Sequence, residues 1–157
     1  MKNNNIRQVT NKREITIRDF YTEIKRVTTD DSFERPWGCW RPEASVEYLQ
    51  SIFDGTATGA LTRAETYRCH QAAKIRKDKA SVWYYKELLG DFDFISIDGK
   101  HRMQTIQKFI DNEISFTGRV VSETGKIYNL KNIYFKDLKN DVRNTFLNSK
   151  LSCHDIV

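Results

Sequence analysis

Apolar residues return at three- and four-residue intervals in two stretches of the chain. In EASVEYLQSIFDG, residues 43–55, Val46, Leu49, Ile52 and Phe53 share one face and Gly55 follows the last of them. That spacing predicts an amphipathic helix stopped by glycine. KHRMQTIQKFIDN, residues 100–112, repeats the pattern with Met103, Ile106, Phe109 and Ile110 directed inward. ITIRDFYTEIKRV (15–27) reads as a short strand and then a helix with Phe20, Ile24 and Val27 on one side. FDFISI (92–97) predicts a strand running into Asp98-Gly99, and residues 114–130 predict a hairpin around Glu123, Thr124 and Gly125. Residues 135–150 give a third helix and LSCHDIV a closing strand. The first 13 residues are polar and read as a flexible arm, and residues 28–42 as a turn-rich loop. Together these elements predict a single α+β domain over residues 14–157, a small mixed sheet flanked by helices.

Composition narrows the class. With 157 residues, 39% hydrophobic and 30% charged, the chain suits one globular core. No apolar run approaches the ~18–20 residues of a membrane span, so no membrane partner is expected. The polar start lacks the apolar segment of a secretion signal, and three cysteines are an odd number. Both point to reduced thiols in the cytoplasm.

The charge is uneven. Residues 63–79, RAETYRCHQAAKIRKDK, hold six basic residues against Glu65 and Asp78, a local +4 out of a total of +5. Read as one basic helix, this stretch offers Arg68, Lys74, Arg76, Lys77 and Lys79 to DNA, or is a solvated face. Trp83, Tyr84 and Tyr85 come next, and core packing is the expected role, with a stacking platform as the alternative. Arg35, Trp37, Trp40 and Arg41 pose a similar choice between a core-sealing loop and a surface that stacks on bases. Two Cys-His pairs, Cys69-His70 and Cys153-His154, have no zinc-ligand spacing. Buried thiols and surface histidines are expected there, and no zinc.

FISIDGKHRMQTIQKFI, residues 94–110, poses the chemical question. Lys100, His101 and Arg102 occupy the first turn of a helix whose N-terminus is already partly positive, which is unfavourable by roughly 0.3–1 kcal/mol each. A bound anion would offset that. Gly99 lets a ligand approach the backbone, the three cations supply charge-assisted donors, and Arg102 can clamp phosphate oxygens. Asp98 reads either as the helix N-cap or as a holder of Mg²⁺ or water.

The same residues resemble a known family. ISIDGKHRMQTIQKFIDNEISF is similar to the signature of the N-terminal domain of GmrSD-type modification-dependent restriction systems, in the ParB/sulfiredoxin-like superfamily. There a strand ends in Asp-Gly-Gln-Gln-Arg. Asp98, Gly99 and Arg102 match, while Lys100 and His101 replace the glutamines. Upstream, Arg35, Pro36 and Trp40 match an aromatic-flanked Gln-Arg-Pro block with Glu34 in place of Gln, and residues 134–157 resemble the family's downstream helix and strand. In the family an effector region and an HNH-type nuclease domain often follow, and neither is seen before Val157.

The resemblance implies a nucleotide- and DNA-binding domain taking NTP with Mg²⁺. Asp98, His101 and Arg102 would be the catalytic set for NTP or phosphodiester hydrolysis, with Asp98 holding the metal. Gly99, Lys100, Arg102 and Arg35 would hold the nucleotide, and the basic helix with Trp40 would approach DNA. A homodimer or an effector partner is implied as well. The alternative is a non-catalytic DNA-sensing or anti-restriction protein.

Overall fold

The computed structural model describes residues 10–29, 41–57, 59 and 61–156. Among them, seven strands and six α-helices form two sheets with a shared helical cover. The α+β expectation holds. The main sheet has the order β1 (Thr10–Thr16), β7 (Lys150–Ile156), β3 (Leu61–Glu65), β4 (Phe94–Asp98), β2 (Val27–Thr29). β1 and β7 pair antiparallel, β7 and β3 parallel, β3 and β4 antiparallel, and β4 and β2 parallel. The predicted hairpin forms a separate ribbon of β5 (Phe116–Val121) and β6 (Ile127–Ile133).

Four helices bury their apolar stripes over this frame. They are α1 (Ile17–Ile24), α2 (Pro42–Phe53), α5 (Lys100–Ile110) and α6 (Asn140–Asn148). Phe20, Leu49, Ile52, Ile106, Phe109 and Phe146 are at most 1% exposed, so the three- and four-residue spacing translates into core. At its centre Phe53 meets Phe116 and Phe146 at ring-centroid distances of 4.8 and 5.0 Å, and Phe109 meets Phe146 at 5.1 Å. Offset and edge-on contacts of this kind add to the burial of the rings themselves. They tie α2, α5, α6 and the ribbon into one body.

The remaining helices, α3 (Thr66–Arg76) and α4 (Lys79–Leu89), are joined by two residues. Lys77 ends α3 in the left-handed region at φ 56°, and Asp78 caps α4 by accepting from the Ser81 N–H at 3.2 Å and the Ser81 hydroxyl at 2.7 Å. This is a tight helical corner with its cap supplied by the sequence Asp-Lys-Ala-Ser.

Five sequence-based expectations change. Residues 10–13 are not arm but the first half of β1, because β7 offers them an antiparallel partner along its whole length. The basic helix starts at Thr66, not near Arg63, since residues 61–65 form a strand of the sheet in which 62–64 are paired on both sides. Arg63 consequently leaves the basic patch. It is 2% exposed, with Nε and Nη2 on the Asp155 carboxylate at 3.0 and 3.3 Å and Nη1 on Glu23 at 3.1 Å, its guanidinium 3.8 Å from the centre of the Phe94 ring. A buried arginine is tolerated only with such a set of acceptors. His70 is buried at 7% instead of lying on the surface. Finally, Trp83 is 66% and Tyr84 39% exposed, so neither is core.

Candidate functional site

The first turn of α5 follows β4 through a single glycine. Opposite Thr62 and Arg63 of β3, β4 carries one extra residue, Ile97, between the partners Ser96 and Asp98. Bulges of this kind re-aim the residues beside them, and here the strand ends with Asp98 exposed. Gly99, at φ 105° and ψ 14°, then takes the N-cap position, where it has no side chain to cap the helix. Asp98 is therefore not the capping residue.

Leu61 packs directly behind Gly99, and a Cβ at that position would run into its Cδ2 atom. Glycine is required here on two counts, the positive φ and the approach of Leu61. Glycine at the N-cap brings no side chain of its own to the first-turn N–H groups of α5, and a helix N-terminus of this kind favours an anion.

The three cations of the motif take different positions. Lys100 is buried, 4% exposed, and His101 and Arg102 are half-buried. None is splayed into solvent. The Arg102 guanidinium lies over Gly59, so closely that a Cβ there would stand 2.7 Å from Nη1 and 2.9 Å from Cζ. Gly59 also has a positive φ, 87°, and its missing side chain is what makes room for the flat group. Tyr48 of α2 is near enough to feel this charge. Burial pushes its hydroxyl well above the ordinary range, and Arg102 pulls it partly back. Among the described residues Arg102 has no carboxylate partner, unlike Arg13, Arg26, Arg63 and Arg68.

His101 faces a cleft of about 570 Å³ between α2 and α5. Ser45 and Val46 line one wall, Thr105 and Lys108 continue from His101 down the other, and Tyr134 closes part of the rim. The Ser45 and Thr105 hydroxyls lie 3.4 Å apart across it. Sites for small organic ligands have this size and this mixture of apolar wall with a few polar groups. The sequence motif marked His101, but only the packing of α2 against α5 shows that a cleft opens beside it.

The predicted DNA-contacting residues Arg68, Lys74, Arg76, Lys77 and Lys79 are all exposed; the last four gather at the α3–α4 corner, whereas Arg68 stands in the first turn of α3. Arg68 is held by Glu65 at 3.0 Å, which offsets part of its charge. Arg35 and Trp40 lie outside the described residues. Among the described residues no three His, Cys, Asp or Glu side chains come together as a metal site, and no helix is long and apolar enough to cross a membrane. A single carboxylate such as Asp98 still fits Mg²⁺ delivered with phosphates, since that ion keeps most of its water and needs one or two protein oxygens.

No protein-family model matches this chain, and no curated protein or solved structure matches it significantly.

Proposed function

We propose that the domain binds a nucleotide at the first turn of α5 and nucleic acid on the α3–α4 corner, as a relative of the GmrSD-type N-terminal domains. One observation carries the first half. Arg102, half-buried and seated on Gly59, has no acidic partner among the described residues and stands in the first turn of a helix whose N-cap residue is a glycine. A guanidinium held in this way loses little further freedom on clamping phosphate oxygens bidentately.

On this reading the phosphates lie against the N–H groups after Gly99 with Arg102 as their clamp. His101 reaches them from the cleft, which takes the base and sugar. Lys100, buried in the same turn, contributes positive potential from inside the protein. Asp98 with the phosphates would hold Mg²⁺, which neutralises charge on them when bound. Any hydrolysis would then rest on positioning and charge neutralisation.

Calorimetric titration with ATP, GTP and CTP, each with Mg²⁺, tests the site. At least one is expected to bind, and Arg102→Ala should weaken it by more than about tenfold, the loss of one charge-assisted clamp. Equal affinity in the variant would remove Arg102 from the site. Release of inorganic phosphate in the same mixture separates turnover from binding alone.

A further inference from the structure

α4 has no buried residue and packs chiefly on α3. Trp83 on α4 is 66% exposed and Ile75 on α3 is 82% exposed. Exposing a large aromatic ring forgoes the stabilisation that burial of its area would give. In a chain where α1, α2, α5 and α6 bury their apolar stripes, that exposure calls for a physical account.

The surroundings of the indole supply one. A groove of about 530 Å³ runs along the corner, lined by Lys74, Lys77, Lys79, Val82, Trp83 and Lys86. None of the four lysines has a carboxylate partner among the described residues. Asp78, the acid between them in sequence, turns both carboxylate oxygens toward Ser81 and does not line the groove. The groove is thus an apolar floor lined by four lysines and no acidic side chain. A second copy of the chain would bring a like-charged face and be repelled. A polyanion carrying flat apolar groups complements both features.

We propose that this groove binds an unpaired stretch of nucleic acid, one base stacked on Trp83 and the lysines holding the flanking phosphates. This inference rests on the nucleic-acid half of the function proposed above and narrows it. A duplex hides the faces of its bases, so its backbone would use the lysines and leave the indole idle. An unpaired base presents a face that any aromatic ring can stack on, whatever the sequence.

The test uses the full chain and three labelled probes about 12 nucleotides long, within the range of single-strand sites. These are oligothymidylate, oligouridylate and a duplex, with polyglutamate as competitor. Anisotropy should show a single strand, deoxy or ribo, binding about tenfold tighter than the duplex, with quenching of tryptophan fluorescence. Trp83→Ala should lower single-strand affinity about tenfold or more, Trp83→Phe should restore most of it, and neither should alter duplex affinity. Lys77→Ala combined with Lys79→Ala should weaken both probes and flatten their salt dependence. If the duplex binds as tightly as the single strands and Trp83→Ala has no effect, the inference falls while nucleic-acid binding stands. If no probe binds, both fall. Polyglutamate displacing the strands at equal charge would overturn the stacked base in favour of an acidic polypeptide.

Discussion

Cys153 is fully buried in β7, two residues from Asp155 and the Arg63 ion pair. Burial pushes its thiol up to about 11, against a smaller opposing pull from Arg63. The folded chain therefore holds this proton more tightly than the unfolded chain does. Stability from the neutral thiol is complete below the ordinary thiol range and is lost as pH rises through it toward 11. Urea unfolding of the parent should show stability falling by on the order of 1–3 kcal/mol more than in Cys153→Ala between pH 9 and 11. Parallel profiles would mean that the thiolate is accommodated. Cys69, also raised by burial, has the same sign and remains in both proteins. None of this was legible locally. The run of cations at 63–79 treats Arg63 like its neighbours, and its partner Asp155 lies 92 residues away.

At the level of elements, the turn between β4 and α5 makes the sharpest demand on sequence. Gly99 combines a positive φ with a close neighbour, whereas Gly55 has a positive φ of 70° and nothing within 4 Å of a Cβ. Gly55→Ala should therefore cost about 1 kcal/mol, and Gly99→Ala about 2–4 kcal/mol once the overpacking of Leu61 is added. Denaturant midpoints measure both, and equal losses would mean that Leu61 moves aside freely. The pair Asp98-Gly99 announced this turn in the sequence, as the 3.6-residue spacing announced α2 and α5. The exposure of α4 was not announced. Its residues Val82, Tyr85, Leu88 and Leu89 look like a core stripe, and whether such a stripe is covered depends on a further layer that no local pattern specifies. Likewise β3 owes its strand to neighbours on both sides, and its residues from Arg63 onward read as the start of a helix.

Across the whole molecule, protection should follow packing. Amide hydrogen exchange is expected to be slowest in α5, whose Ile106 and Phe109 are fully buried, and much faster throughout α4, whose apolar residues are at most half-buried. A bound single strand should slow exchange in α4 while leaving α5 as it was, and equal protection of the two free helices would contradict this hierarchy. The class of the fold was readable from the alternation of strand and helix signals. The order of strands in the sheet was not, because it depends on pairings between distant segments.

That order carries a consequence for how the molecule comes into being. β7, the last described strand to leave the ribosome, sits between β1 and β3 and is a neighbour to both. Until it emerges, β1 has no partner in the sheet and Arg63 has only Glu23 as a counter-ion. The five-stranded sheet therefore cannot be completed before β7 is available, and the same strand that joins β1 to it brings Asp155 to Arg63.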